Sequence, residues 1–351
     1  MQQTLRSYQD KTPVKLGIWL LILVGLVLLP RIVPNAYVQR VINLSLIYVI
    51  LTLGQNLLTG FTGLISLGQA GFFAIGAYTS ALLVLRLSVP WPIAFFVAGA
   101  LACIIGILLG YPSLRVGGDY LTLLTIGFAE IVRIIALNWM ALTRGPMGIP
   151  GIPPPQIGSL KIFTGSGYYY LFLVIAATVY LGVWLLVNSK VGRALQAMRE
   201  DAIAARAIGV NVAHYQVLSF AVAAMLAGFA GSLLVHFNMF VGPTSFDIDE
   251  SLTQMNMAIL GGLGSLPGSV LGAVILTVLP EYFRVVNEYR LLFMGLLMVV
   301  LMIWRPYGIL GKQSAVVLIT RTSMFAGLFK RGETQRPMSF TERLKNAVIG
   351  D

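Results

Sequence analysis

Long apolar runs constrain this chain more than any other feature of its sequence. Several approach the roughly 20 residues that a helix needs to cross a bilayer. Backbone groups in lipid must be hydrogen-bonded internally, so only helices and closed barrels span membranes. The runs lack the alternation of barrel strands, and the sequence therefore predicts an all-α polytopic helical bundle. The spans are expected near residues 16–30, 41–59, 71–86, 92–110, 119–137, 167–187, 215–236 and 289–304.

A further apolar stretch, residues 252–280, is interrupted by the sequence GGLGSLPG at 261–268. Glycine and proline there cannot continue one straight helix, so we expect either a re-entrant hairpin or two strongly tilted passes, giving 8–10 passes in all. The sequence GLISL at 63–67 interrupts 41–86 in the way GLGSL at 262–266 interrupts 252–280. This indicates an internal repeat or a coincidence. The expected helix breaks are at Gly63, Gly68, Gly261, Gly262, Gly264 and Gly268.

Charge sets the expected orientation. Of 351 residues only 11% are charged, and the net charge is +11. Basic residues favour the cytoplasmic side, which explains this charge without nucleic acid as a partner. We expect a cytosolic segment 1–15, a transmembrane domain 16–311 with a cytosolic loop 188–214, and a basic cytosolic tail 312–351. The acidic loop 247–250 and the Pro/Gly-rich loop 138–166 then lie outside.

Uncharged polar side chains flank both glycine breaks. Amides and hydroxyls hydrogen-bond a polar solute without trapping it, as a translocation path requires. The alternative is that they join packed helices, where such bonds contribute about 1 kcal/mol or less. The candidates are Asn43, Gln55, Asn56, Ser66 and Gln69 in one set and Gln254, Asn256 and Ser265 in the other. Glu130 and Arg133, spaced i,i+3, are expected to pair within one span, in a structural or a functional role.

The segment 190–211 differs from everything around it, because it is charged and suited to water. We expect one helix with Leu195, Met198, Ala202 and Ala205 along one stripe and Gly209 at its C-terminal end. Its many alanines have small side chains, which bury little apolar surface if the helix lies on a lipid bilayer. A groove on a partner protein is the better expectation.

Several activities are excluded by what the sequence lacks. There is no GxxxxGK[ST] phosphate loop, so we expect that the chain does not itself hydrolyse ATP. There is no zinc motif and no nucleophile elbow, and hence no enzyme activity, cofactor or metal is expected in this chain. The lone cysteine, Cys103, is expected to be a small buried hydrophobic residue.

The sequence resembles the permease subunits of branched-chain amino-acid ABC importers, most closely the longer of two permease types. The resemblance covers residues 56–311, and its motifs occur in the family's order. They are NLLTGFTGLISLGQAGFFAIGAY (56–78), RVGGDYLTLLTIGFAEIVRIIALN (115–138), TRGPMGIPGIP (143–153), GRALQAMREDAIAARAIGVNVAHYQVLSFAVAAMLAGFAGSL (192–233), AILGGLGSLPGSVLGA (258–273) and RPYGILG (305–311).

The resemblance implies an ABC importer permease fold in a bacterial inner membrane, with both termini cytoplasmic. It implies a second related permease, two cytosolic ATPases that bind ATP and Mg²⁺, and a periplasmic substrate-binding protein. Leucine, isoleucine or valine is the implied solute; a urea or short-amide importer is the alternative, and a self-sufficient secondary transporter or channel a more distant one. The segment 192–209 would be the coupling helix that docks on an ATPase. Its contact residues would be Gly192, Arg193, Arg199, Glu200, Asp201, Ala204, Ala205 and Gly209.

Overall fold

The computed structural model describes residues 29–31, 35–113, 119–158, 160–282 and 308–311, with single positions at 295, 299, 300 and 303. The described part is almost entirely helical. Its helices are α1 (Ala36–Asn56), α2 (Gln69–Leu87), α3 (Trp91–Ser113), α4 (Asp119–Asn138), α5 (Met140–Thr143), α6 (Gly165–Asn188), α7 (Lys190–Glu200), α8 (Ala202–Ala207), α9 (Val212–Asn238), α10 (Ile248–Gly261) and α11 (Leu266–Tyr282). A π-helical turn, Leu57–Phe61, extends α1.

Six segments of the described chain are long and apolar enough to cross a membrane: 36–61, 69–87, 91–112, 120–138, 165–188 and 212–238. They match six of the eight predicted spans. The other two predicted spans, 16–30 and 289–304, lie outside the described residues except at a few positions. The all-α polytopic prediction is therefore confirmed. The segments 1–15 and 312–351 are not described, and the predicted domain boundaries stay predictions.

The second glycine-rich stretch forms a helical hairpin. Helix α10 has 14 residues and α11 has 17, which at 1.5 Å per residue gives about 21 and 26 Å, each less than the roughly 30 Å hydrocarbon core. Their backbones touch, because a methyl group on Gly261 would overlap the carbonyl of Gly268. The expected acidic loop 247–250 is largely helical instead: Asp247 caps α10 by accepting the N–H of Glu250 at 3.1 Å.

Helix α9 lies at the centre of the bundle and packs along α2 and α3. Small residues allow this close approach, as is common between membrane helices. A methyl group on Gly76 of α2 would overlap the backbone of Gly228 of α9, and one on Gly228 would lie 2.7 Å from the Cβ of Ala102 in α3. Helix α1 packs against α6, α9, α10 and α11. Its C-terminal end is therefore enclosed by other helices.

The segment between α4 and α6 is fixed to the bundle through one buried histidine. The ring of His236 bonds Pro153 O through Nδ1 at 2.7 Å and Ser80 Oγ through Nε2 at 3.0 Å. Strand β1 (Ile149–Pro150) also pairs antiparallel with β4 (Phe240–Val241), and β2 (Gln156–Ile157) pairs with β3 (Leu160–Lys161). The loop is thus anchored at its centre.

The prediction of one helix across 190–211 is wrong. Asp201 has an extended backbone, φ −157° and ψ 110°, and separates α7 from α8. Its carboxylate accepts the N–H groups of Ile203 at 2.8 Å and Ala204 at 3.0 Å, so it caps a new helix. A sequence pattern of good helix formers did not reveal this cap, because aspartate is tolerated inside helices as well as favoured at their starts. The stripe was correct at Leu195, Met198 and Ala205, which are buried, whereas Ala202 is half-buried.

Candidate functional site

Two consecutive residues at the end of α1 hold the two helix breaks. Gln55 serves the first break: its Nε2 donates to Ser66 O at 2.8 Å and to Thr59 Oγ1 at 3.1 Å. Asn56 serves the second, which lies more than 200 residues further along the chain. Both side chains are fully buried. The end of α1 therefore joins two segments that are distant in sequence.

The amide of Asn56 uses both of its ends on the second break. Its Nδ2 donates to Ser265 O at 3.0 Å and to Gly262 O at 3.4 Å, and it also donates to the hydroxyl of Ser269. Its Oδ1 accepts the backbone N–H of Gly264 at 2.9 Å. Backbone groups freed where α10 ends are thus satisfied without water, which is how non-helical backbone is tolerated at membrane depth.

Gly60, which is not among the predicted helix breaks, brings the two breaks into contact. It lies in the π-helical turn Leu57–Phe61, a feature that often marks functional positions. A methyl group at Gly60 would overlap both Asn56 Oδ1 and the backbone nitrogen of Gly264. The Thr59-Gly60 pair, just before the predicted break, was the available signal.

The two break serines have similar local roles. Ser66 Oγ accepts the N–H of Gly68 at 3.3 Å, just before α2, and Ser265 Oγ accepts the N–H of Gly268 at 3.2 Å, in the first turn of α11. The Ser265 hydroxyl therefore caps α11, whereas the Ser66 hydroxyl binds the residue that precedes α2. Within the two breaks, positive φ is found at Gly63 (75°), Gly262 (118°) and Gly264 (80°), so the chain turns at these positions.

Arg199 of α7 contacts both breaks from the other side. Its Nη1 donates to the carbonyl of Gly60 at 2.6 Å. A methyl group built on Gly63 would lie 3.2 Å from Arg199 Cγ, and one built on Gly264 would lie 2.9 Å from Arg199 Nη1. The side chain therefore lies against Gly63 of the first break and Gly264 of the second.

The remaining residues proposed for the coupling contact divide by exposure. Gly192 and Ala205 are buried within the protein, and a methyl group on Gly192 would overlap the carbonyl of Val187. The exposed members are Arg193, Glu200, Asp201, Ala204 and Gly209.

Two backbone hydrogen bonds lower the pKa of the Asp201 carboxyl. The larger effect comes from the N–H of Ala204 and the next from the N–H of Ile203. Gly209 has φ +88° and follows α8, as a C-terminal stop requires. Ile203 and Ile208, which are not among the predicted contact residues, are 79% and 77% exposed beside these residues. Isoleucines in a charged segment were the available signal.

Four predicted path residues of the described chain, Asn43, Gln69, Gln254 and Asn256, make no hydrogen bond to the turn residues of the two breaks. Asn43 donates to Gly165 O at 3.0 Å, joining α1 to α6, and lies 12 residues, or about 18 Å, from Gln55 along the helix. Gln69 and Gln254 are buried and each carries amide atoms without a hydrogen-bond partner. Asn256 is half-buried and lies about 200° around α10 from Gln254.

Neither the ion pair nor any metal cluster adds to this site. Arg133 Nε donates to Glu130 Oε2 at 2.9 Å, and both side chains are about a third exposed on α4. This is the pairing expected from their spacing, and it leaves both charges at the bundle surface. Among the described residues no group of His, Cys, Asp and Glu is placed to hold a metal ion.

We expect Asn56→Ala to lower the thermal unfolding midpoint of the detergent-solubilised protein. The change leaves the buried Gly264 N–H without its partner and removes one of several bonds to two buried carbonyls, and an unsatisfied buried donor costs about 1–3 kcal/mol. Asn138→Ala is the matched control, because the Asn138 amide bonds only within its own helix, to Ile134 O. Equal midpoints for the two variants would show that the Asn56 amide does not stabilise the breaks.

Comparison with known proteins assigns the family. Residues 37–302 match the family described as branched-chain amino acid transport system / permease component. The high-affinity branched-chain amino acid transport system permease protein LivM of Escherichia coli K12 is 39% identical over an alignment of 325 positions that covers 86% of this chain and 76% of LivM.

More distant relatives carry related names. The permease protein LivH of Salmonella typhimurium is 26% identical over 79% of this chain and 96% of its own length, and BraD of Pseudomonas aeruginosa is 26% identical over the same shares. No solved structure matches the chain. On these matches, the chain belongs to the family of permease components of branched-chain amino acid transport systems.

Proposed function

We propose that this chain forms the translocation path of an ATP-driven importer for branched-chain amino acids, and that Arg199 passes movement from the cytosolic segment to the path. The observation that carries the proposal is the contact of one α7 side chain with both helix breaks. The relatives named as branched-chain amino acid permeases support leucine, isoleucine or valine as the solute. The polar residues beside the breaks supply the path.

The Arg199 contact has the geometry that coupling requires. Its guanidinium donates to Gly60 O at 2.6 Å, and Gly60 in turn touches Asn56 and Gly264. A shift of α7 therefore acts directly on backbone at the first break and, through close contacts, on the second. Because packed elements have discrete arrangements, a small shift at one end is converted into a change of state.

The surface formed by Ile203, Ala204 and Ile208 is the proposed docking site for the energy source. These side chains are exposed on or beside α8, and large apolar side chains exposed in a charged segment mark a protein contact. The sequence has no phosphate loop of its own. The partners are two cytosolic ATPase subunits carrying ATP and Mg²⁺.

The remaining assembly follows from the same family. A second related permease completes the path, and a periplasmic binding protein delivers the solute from outside. The chain then lies in a bacterial inner membrane, with α7 and α8 in the cytosol. The anchored loop around Pro153 and the start of α10 face the opposite side.

The test is uptake of radiolabelled leucine into vesicles containing the complete complex. We expect uptake that requires both ATP and the binding protein. In the same vesicles Arg199→Ala should lower uptake about tenfold or more, because a hydrogen bond to a charged group contributes about 1.5–3 kcal/mol. Basal ATP hydrolysis should persist, since the docking surface is unchanged.

Lys190→Ala is the matched control, because it removes an exposed positive charge from the same helix. It should leave uptake within about twofold of the wild-type rate, the surface charge being screened. Leucine uptake by the chain alone, without ATP or partners, would contradict the importer. Equal uptake by the Arg199 and Lys190 variants would contradict the proposed role of Arg199.

The orientation is tested by sided labelling in intact cells. In a Cys103→Ala background, single cysteines replace Lys190 and Asp249, both exposed in the structure. We expect a membrane-impermeant maleimide to label the cysteine at 249 from the periplasm and the cysteine at 190 only after the membrane is opened. Labelling of both from one side would overturn the assignment.

A further inference from the structure

Glu250 is a carboxylate on the helical hairpin that the proposed path residues do not include. It lies in the first turn of α10, next to α1. Tyr48 Oη of α1 donates to its Oε2 at 3.3 Å, and Gln254 Nε2, one turn further along α10, donates to its Oε1 at 3.0 Å. Both donors are neutral. The carboxylate is thus fixed in position without a counter-charge.

No cation of the described chain pairs with Glu250. The ion pair found among the described residues is Glu130–Arg133, on α4. Carboxylates withdrawn from water are ordinarily paired with a positive charge. Glu250 is half-buried, and its neighbouring donors leave further lone pairs on both oxygens. It is therefore able to accept bonds from a positively charged ligand.

Two glutamines in the same region as this carboxylate have amide atoms without a hydrogen-bond partner. Gln254 is fully buried, and its Oε1 has no hydrogen-bond partner, although its Nε2 is bonded to Glu250. Gln69, also buried, has no partner for either amide atom. It lies at the start of α2, where the next residue, Ala70, donates its N–H to Ser251 Oγ at 3.1 Å.

These two glutamines are more than nine-tenths buried, so their free amide atoms are not satisfied by bulk water. Leaving such groups unpaired is costly, and groups of this kind in native structures call for a ligand or for ordered water. Gln254 is bonded to Glu250, and Gln69 precedes Ala70, which is bonded to the residue after Glu250. An anionic oxygen pair, a free amide carbonyl and a free amide N–H donor therefore belong to one region of the fold.

We propose that Glu250, Gln254 and Gln69 form a binding site for the charged backbone groups of an α-amino acid on the path. This rests on the proposed function and names the part of the solute recognised. The ammonium group would donate to Glu250 and to Gln254 Oε1. The solute carboxylate would accept from Gln69 Nε2, near the N-terminal end of α2, where the helix dipole favours negative charge.

The site separates solute classes that the sequence motifs left open. An α-amino acid carries one positive and one negative group, and both find a partner here. Urea and simple amides are neutral and gain no charge-assisted bond from Glu250. The apolar side chain of leucine, isoleucine or valine takes no part in this contact, so the site selects for amino acids as a class.

The experiment uses the complete complex in vesicles with saturating binding protein. Glu250→Gln preserves the size of the side chain and removes the charge. We expect initial ATP-dependent leucine uptake to fall about tenfold or more, since hydrogen bonds to charged groups are the strong ones. Asp249→Asn, which removes an exposed carboxylate one residue away, should leave uptake within about twofold.

Further measurements separate a binding defect from a failure to fold or couple. Binding-protein-stimulated ATP hydrolysis should persist in Glu250→Gln, because α7 and α8 are unaltered. Tyr48→Phe removes only a hydroxyl donor to the carboxylate and should lower uptake several-fold. If Glu250→Gln does not assemble, uptake by Tyr48→Phe decides, and a wild-type rate would overturn the site.

The outcomes also separate this inference from the proposed function. Absence of ATP-dependent leucine uptake in the wild-type complex would overturn the importer itself. Wild-type uptake together with equal rates for Glu250→Gln and Asp249→Asn would overturn only the amino-acid site. Reduced uptake in Glu250→Gln with retained ATP hydrolysis supports both.

Discussion

The amide of Asn56 makes the interaction on which the rest of the described structure depends. A helix that stops inside a membrane leaves backbone carbonyls and N–H groups without partners, and each is costly in hydrocarbon. Asn56 supplies both a donor and an acceptor to the turn between α10 and α11. The turn is then stable beside α1, and the glycines that permit it also allow the first break to approach. The two glycine breaks and the Arg199 side chain meet at this place.

Much of the fold was predictable because hydrophobic length is a local property. Six predicted spans are present, and the interruption at 261–268 was evident from glycine and proline alone. The division of 190–211 at Asp201 was not evident, since the choice between a capping and an interior aspartate depends on the surrounding structure. The acidic stretch 247–250 was placed in a loop for a related reason: three acidic residues suggest solvent, yet they also suit the first turn of a helix.

The sequence predicted which kinds of residue form the candidate site, but it did not predict which of them are in contact. Polar residues flanking two glycine breaks were evident in the sequence, whereas the contact between those breaks joins segments more than 200 residues apart. Single-sequence periodicity carries no information about such pairs. For the same reason Arg199 was expected to face an ATPase, and its side chain instead reaches Gly60. Gly60 itself was overlooked, because the Thr59-Gly60 pair indicates its role only once the neighbouring residues are known.

The adjacency of Gln55 and Asn56 has a statistical consequence. Two independent hinges would have four combinations of states, two of them mixed, in which one hinge has moved and the other has not. Here one turn of one helix is bonded to both hinges, so any mixed combination breaks hydrogen bonds at one of them. Each such loss costs on the order of 1 kcal/mol or more in a buried setting, which depopulates the mixed combinations several-fold per bond. Two neighbouring residues thereby favour concerted movement of the two breaks.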